Sequence, residues 1–254
     1  MTKELDVVTL VYNSSHCLPR FLKGLKLGGY EEYHLTVIDG KSSDEEKRKM
    51  LEILNEFDIP FTWIPLPENY FETKKVNNIP AYHVSVNVGL RFVQGPYVLL
   101  MNPDCFGDKE PGWLNRAMDF MKKLEADEDH KVGVVGATLF HHDGTVDHMG
   151  GAMINNGKTP NHIGRGMPNP GYGNDVLKVH WNTGAWHLTT KALLEDLAYH
   201  RCDGTYGSDV LLGTDALDKG YTNFCLPVQL YHNEHESSDA AFYQENYTKK
   251  KRSY

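Results

Sequence analysis

The sequence has no apolar run long enough to cross a bilayer. Its longest nearly apolar stretches, such as Val132 to Phe140, fall far short of the ~20 residues a membrane span needs. The opening Met1-Thr-Lys-Glu-Leu-Asp6 carries no apolar signal segment, so a cytoplasmic setting is expected, with peripheral attachment to a membrane left open. Four cysteines (Cys17, Cys105, Cys202, Cys225) are widely spread and make no Cys-x-x-Cys pair, which argues against a disulfide scaffold and reads as free thiols. Neither Gly-x-Gly-x-x-Gly nor a P-loop is present, which argues against a dinucleotide-dependent oxidoreductase and a nucleoside triphosphatase. There are 13 histidines, yet no His-Glu-x-x-His and no Cys/His ligand quartet, so a zinc site is not expected. Basic residues are the minority, 26 against 34 acidic, for a formal charge of −8. That balance disfavours duplex nucleic acid as a partner. The exception is Lys249-Lys250-Lys251-Arg252, within a basic tail over 241–254 that reads as solvated and frayed.

What is present is enough to build a core. The chain has 254 residues, 40% of them apolar and 11% aromatic, which excludes disorder as the main state and fits one large domain or two small ones. Strand-like and helix-like patterns alternate at short spacing over the first hundred residues, the pattern of a doubly wound α/β sheet. Asp6 to Val11 is a β-branched run suited to a buried parallel strand, and Leu18, Phe21, Leu22 and Leu25 mark one face of a helix. His34 to Ile38 is a second strand. Ser43-Asp-Glu-Glu46 is a capping box opening a helix with Met50, Leu51, Leu54 and Phe57 inward. Phe61 to Pro65 is a third strand; Ala81, Val84, Val88 and Phe92 mark another helix face that Gly95 closes; Tyr97 to Met101 is a fourth strand.

After residue 104 the character changes. A helix from Trp113 to Leu124 precedes the strand Val132 to Phe140, and the turn His141 to Thr145 suggests a hairpin. His141, His142 and His148 read as its surface residues. Residues 155–175, rich in Gly, Pro and Asn, read as a flexible functional lid. Thr189 to Leu197 and Ser208 to Lys219 read as helices, the second stopped by Gly220, with a short strand Thr222 to Leu226 after them.

Open parallel sheets bind ligands beyond the carboxyl ends of their strands. Here those positions hold Tyr12-Asn13-Ser14, Asp39 to Asp44 and Asn102-Pro103-Asp104. An aromatic after the first strand can stack on a base, and a carboxylate after the second can accept from a base N–H or a ribose hydroxyl. A carboxylate after the fourth can hold a divalent cation on a diphosphate. Turn formation and helix capping are the competing explanations for Asp39 and Asp44.

These segments resemble a family. Asp6-Val-Val-Thr-Leu-Val-Tyr-Asn13 resembles the opening strand of family 2 glycosyltransferases, and Ile38-Asp-Gly-Lys-Ser-Ser-Asp44 is similar to that family's second segment. Asn87-Val-Gly-Leu90 with Gly95 to Asp104 resembles the helix and strand leading to the family's Asp-x-Asp. Val132 to Thr145 with His148-Met-Gly-Gly151 resembles the rhamnosyltransferase-like, Asn-Pro-Asp branch. Thr183-Gly-Ala185 resembles the acceptor-side motif, and Gly220 to His232 the closing strands. The resemblance covers about residues 5–240 and implies a GT-A fold: an α/β, Rossmann-like, mostly parallel central sheet with helices on both faces and a smaller acceptor-side subregion. It divides the chain into a nucleotide-sugar half (1–104) and an acceptor and catalytic half (105–240), ahead of the tail.

The resemblance also implies roles. Thr9, Val11 and Tyr12 flank the base, Asp39 reads it, and Asn102 and Pro103 complete the nucleotide site. Asp104 coordinates Mn²⁺ or Mg²⁺ with His232, or with His235 in its place. Asp209 is the general base and Asp215 its rival. Thr183 and Gly184 line the sugar site, with Trp181 and Trp186 as a platform or as core. Three positions depart from the family's pattern: Asn102 for its first acid, Ser208 for its Glu, and Asp215 for its arginine. The activity implied is an inverting transfer from a UDP- or dTDP-type donor to a hydroxyl of a glycan, a lipid-linked saccharide or another acceptor. The alternative is a catalytically silent nucleotide-sugar or glycan-binding module on the same fold.

Overall fold

Leu5–Val11 (β1) is β-branched and apolar because both its faces are covered: Leu5, Val7 and Val11 enter one core, Val8 and Leu10 the other. The computed structural model describes residues 3–168 and 175–233. After β1 come α1 (Leu18–Leu27), β2 (Tyr33–Asp39), α2 (Asp44–Glu56), β3 (Phe61–Pro65), α3 (Tyr70–Thr73) and a two-stranded hairpin, β4 (Lys75–Val76) and β5 (Ile79–Pro80). There follow α4 (Tyr82–Leu90), β6 (Tyr97–Met101), β7 (Cys105–Phe106), α5 (Trp113–Glu125), β8 (Lys131–Phe140) and β9 (Val146–His148). A second hairpin, β10 (Gly151–Ile154) and β11 (Thr159–His162), leads on to β12 (Leu177–Val179), β13 (Trp186–Thr190), α6 (Lys191–Asp196), α7 (Ser208–Asp218) and β14 (Tyr221–His232).

One sheet spans both halves of the chain in the order β12-β14-β8-β13-β6-β1-β2-β3, with β7 added to β14 and β9 to β8. The strands β6, β1, β2 and β3 are mutually parallel, as are β8 and β14. Between these groups β13 runs antiparallel to both of its neighbours. Helices α1, α2 and α5 cover one face through Leu18, Phe21, Leu22, Leu25, Met50, Leu54 and Trp113. Helices α4, α6 and α7 cover the other through Val86, Leu90, Leu193, Leu212 and Ala216. Each fully buried Leu or Phe of α1 contributes about 1.5–3 kcal/mol of transfer free energy, which holds that helix to the sheet.

Several elements differ from the sequence expectation. Helix α4 buries Ser85, Val86, Gly89 and Leu90, while Val84 and Val88 are half-buried and Phe92 is 52% exposed. The reason is close approach: a Cβ on Gly89 would lie 2.3 Å from Ile38 Cδ1, so the smallest side chains of α4 face the sheet. Gly95 does not close that helix. It sits where a Cβ would lie 2.7 Å from the Glu4 carbonyl oxygen, and its N–H donates to Asp6 Oδ2 (2.7 Å). Thr189 and Thr190 belong to β13, and the helix begins only at Lys191. The last strand is 12 residues long, with two register shifts against β8.

The expected lid over 155–175 is in its first part the turn and returning strand of the β10–β11 hairpin. That hairpin, β9 and a small cluster of Phe140, Val146 and Met149 form the smaller subregion. The remainder of that stretch over 169–174, the tail 241–254 and His235 lie outside the described residues.

Candidate active site

The parallel register puts Val11, Asp39 and Pro65 side by side at the carboxyl ends of β1, β2 and β3. The loops beyond β1 and β2 are stitched together. Asn13, in left-handed backbone (φ 49°), donates from N–H to Ser42 Oγ (2.9 Å) and accepts from Ser43 N–H at Oδ1 (3.0 Å). Ser43 caps α2 by accepting from Glu46 N–H (3.3 Å), but the Glu46 carboxylate reaches across to Ser15 N–H (3.2 Å) rather than back to Ser43. Half of the expected capping box is thus used to fix the first loop, which carries Tyr12.

Within this frame Asp39 is fully buried. Its Oδ1 accepts from Ser42 N–H (2.8 Å), while its Oδ2 has no hydrogen bond and lies 3.8 Å from Lys47 Nζ. Thr9 Oγ1 is likewise buried without a hydrogen bond, and Val11 is buried beside Asp39. Two buried polar atoms without hydrogen bonds, toward the edge where parallel strands end, are what a polar ligand would satisfy.

One strand over, the turn after β6 is closed by Cys105 N–H to the Asn102 carbonyl (3.0 Å) and buries Pro103 and Asp104. Asn102 Oδ1 accepts from the Tyr82 hydroxyl (3.1 Å). The β7–β14 pairing sets His232 opposite Cys105, which brings its ring to Asp104: His232 Nε2 lies 3.7 Å from Asp104 Oδ1. The other ring nitrogen, Nδ1, is 2.7 Å from Asp147 Oδ2. Burial pushes the Asp147 carboxyl up, but the His232 hydrogen bond and the charges of His232, Arg165 and His141 outweigh it and hold the pKa at about 2.

Asp209 stands in the first turn of α7. Its Oδ2 accepts from Gly184 N–H (3.0 Å) and its Oδ1 from Val210 N–H (2.9 Å), so two backbone donors orient the carboxylate. The Tyr82 hydroxyl connects the two sides: burial first, then the negative charges of Asp209 and Asp104, push its pKa up. Tyr82 therefore neighbours both carboxylates. It was not anticipated from sequence, because the apolar pattern of α4 assigned it no role.

Other candidates fall elsewhere. Asp215 is held in a fork by Arg201, with Nε to Oδ2 at 2.5 Å and Nη2 to Oδ1 at 2.6 Å. Six residues beyond Asp209 on a 3.6-residue helix, it points away from the Asp209 face. Trp186 is completely buried and meets Trp113 edge-on at 6.3 Å between ring centroids, so it is core rather than a sugar platform. Trp181 is 2% exposed, packed between His148 and His162 with ring centroids at 5.3 and 4.8 Å, and also lies in the interior. Thr183 donates from its N–H to His148 Nε2 (3.1 Å). His148 is fully buried, contrary to the surface position expected of it, because the β10–β11 hairpin folds over it and sets His162 Nδ1 2.9 Å from its Nδ1. His142 is exposed and His141 half-buried.

This architecture and this carboxylate-lined strand edge define a GT-A glycosyltransferase domain. The chain belongs to glycosyl transferase family 2, whose family model matches residues 6–147. Among solved structures, residues 1–349 of S. aureus TarS in complex with UDP-GlcNAc are 18% identical, with a TM-score of 0.62 over 93% of this chain and 61% of that one. The mannosyltransferase PcManGT from Pyrobaculum calidifontis, in complex with GDP-Man and Mn²⁺, is 15% identical, with a TM-score of 0.59 over 91% of this chain and 57% of that one. The chain thus spans about three fifths of the length of either structure. None of the curated proteins matches it in sequence.

Divalent metals are common in such domains. Among the described residues no group of three or more His, Cys, Asp or Glu side chains could hold an ion. The donor chemistry at Asp104 and His232 fits a more open arrangement. A carboxylate oxygen and an imidazole nitrogen face each other beyond hydrogen-bonding distance, which suits an ion that completes its shell with substrate phosphates and water.

Proposed function

We propose that this chain is an inverting glycosyltransferase that moves a sugar from a nucleoside-diphosphate donor of the UDP or dTDP type to a hydroxyl of a glycan or another acceptor. The observation that supports the proposal is the placement of three carboxylates, Asp39, Asp104 and Asp209. The first ends β2 and the second lies in the turn after β6, β2 and β6 being the strands that flank β1, and the third acts with Asp104 on the Tyr82 hydroxyl. The donor complexes of TarS and PcManGT support a nucleotide-sugar as the donor class.

In this reading Tyr12 and Val11 flank the base, and Asp39 Oδ2 accepts from a base N–H at a site sealed from water, with Thr9 beside it. Asn102, tied to Tyr82, and Pro103 shape the turn that presents Asp104. Asp104 and His232 would hold Mn²⁺ or Mg²⁺, which when bound neutralises charge on the departing diphosphate. Thr183 and Gly184 border the transferred sugar and the acceptor. Asp209 takes the proton of the acceptor hydroxyl as that oxygen attacks the anomeric carbon from the face opposite the leaving group, which inverts the configuration.

The test is a panel of nucleotide sugars, with and without Mn²⁺, followed by thermal shift and by release of nucleoside diphosphate. A uridine or thymidine donor that raises Tm and is turned over supports the proposal. Donor binding with no turnover on any acceptor class would favour the silent binding module. Asp39→Ala removes a charge-assisted hydrogen bond of about 1.5–3 kcal/mol, so donor affinity should fall by roughly 10- to 100-fold. Undiminished affinity in titration calorimetry would take base reading away from Asp39.

A further inference from the structure

Asp147 was singled out by no sequence motif, and the reaction outlined above gives it no step. Yet it is one of the most enclosed carboxylates in the chain, 2% exposed, at the middle of β9. Burying a carboxylate is costly unless it is paired. Its two oxygens are committed differently: Oδ2 meets His232 Nδ1 at 2.7 Å, whereas Oδ1 is only loosely approached, by Arg165 Nη2 at 3.5 Å and His141 Nε2 at 3.7 Å. The short contact is therefore the one to His232.

A carboxylate can only accept, so the 2.7 Å contact places a proton on Nδ1. In the neutral ring the remaining nitrogen, Nε2, then carries a lone pair, and it is turned to Asp104 Oδ1 at 3.7 Å. A cation bound there would meet a donor atom on either side. We propose that Asp147 is a positioning residue: by accepting the Nδ1 proton of His232 in a hydrogen bond it fixes the ring's tautomer and angle, and so makes Asp104 and His232 a pair of divalent-cation ligands. Carboxylate–histidine–metal chains of this kind raise ligand basicity and hold the ring, and losing the outer carboxylate typically costs 10- to 100-fold in metal affinity. The inference rests on the metal role given above to Asp104 and His232.

The fold explains why the carboxylate comes from β9. The β8–β9 hairpin pairs Leu139 with His148 and Phe140 with Val146, while β8 lies beside β14, whose last residue is His232. Asp147 thus reaches the ring from an element rigidly attached to the same sheet, although 85 residues separate the two in sequence.

The experiment compares wild type with Asp147→Asn and Asp147→Ala, each first checked for folding by near-ultraviolet circular dichroism. Mn²⁺ binding in the presence of UDP, and separately GDP, is followed by electron paramagnetic resonance, and the His232 ring nitrogens by ¹⁵N NMR on metal-free protein. Wild type should show the Nδ1–H tautomer, folded Asp147→Ala should bind Mn²⁺ 10- to 100-fold more weakly, and Asp147→Asn should lie between. A folded Asp147→Ala with Mn²⁺ affinity within twofold of wild type, or a wild-type His232 protonated at Nε2 alone, overturns the proposal even if catalysis is impaired. Should neither variant fold, the wild-type tautomer still decides. Wild type that binds Mn²⁺ with neither diphosphate overturns the metal role and the Asp147 assignment with it, an outcome distinct from failure of Asp147 alone.

Discussion

Asp209→Asn will lower sugar transfer by roughly 10²- to 10⁴-fold, the usual worth of a positioned general base, while donor affinity stays within a few-fold. The separation follows from geometry. Asp209 is oriented by the Gly184 and Val210 N–H groups at the start of α7, whereas Asp39 ends β2 and Asp104 lies in the turn after β6. An amide has one acceptor oxygen where the carboxylate has two, so one backbone N–H loses its partner, at a cost in stability of about 1 kcal/mol. The control is Asp215→Asn. It disrupts the fork with Arg201 at a partly exposed site, so stability should change by no more than about 1 kcal/mol and turnover by less than twofold. Single-turnover kinetics with saturating donor will read both variants. Full activity in Asp209→Asn would remove it as the base, and a collapse in Asp215→Asn would restore the rival.

The second large effect is on stability in mild acid. His148, His187 and His200 are each at least nine-tenths buried, and in all three burial first of all pulls the pKa down, to about 3 for His200. Neighbouring imidazoles add to the depression, His162 and His187 for His148, and His187 and His83 for His200. The sign follows from which state binds protons. Above pH ~6.5 both folded and unfolded chains hold these rings neutral; below it the unfolded chain protonates and the folded one does not, so stability falls as pH falls toward the folded pKa. For His200, with its pKa at about 3, the cost is about 1.4 kcal/mol per pH unit in that window, or about 2 kcal/mol at pH 5, and His148 and His187 act in the same direction. Against the stability of a typical domain, about 5–15 kcal/mol, the His200 share alone is substantial. Urea midpoints should therefore drop steeply between pH 7 and pH 5, and His200→Phe should remove about one proton's share of the slope. A midpoint unchanged over that range would show that these rings are protonated without penalty.

The legible parts of the sequence were those governed by local pattern. The β-branched run of β1 and the spacing of Leu18, Phe21, Leu22 and Leu25 reflect burial that repeats along the chain, and those residues are where the pattern puts them. Helix α4 failed the same reading because shape as well as hydrophobicity sets its inner face: Gly89 is inside because Ile38 needs the room, Ser85 is buried on the same helix, and Phe92 is outside. Positions directly after strands were legible because parallel topology turns sequence position into spatial position, as at Asp39 and Asp104. Tyr82, His148 and Asp147 were not, since each owes its place to a partner far along the chain. The two tryptophans near Thr183 stayed open between platform and core for a related reason. Closeness to a motif says nothing of direction, and both side chains turn inward.

Strand β13 is the exception in direction at the centre of the sheet, and this has a bearing on how such an enzyme changes its choice of acceptor. A strand running against its neighbours begins where they finish, so the segment feeding it, His180 to Ala185, opens onto the same rim as the segments leaving β1, β2 and β6. On the assignment proposed above, lengthening that feeder would recontour the acceptor side and leave the nucleotide side as it is. Under that assignment, one insertion at a strand's entry would alter which acceptor is taken and spare the donor.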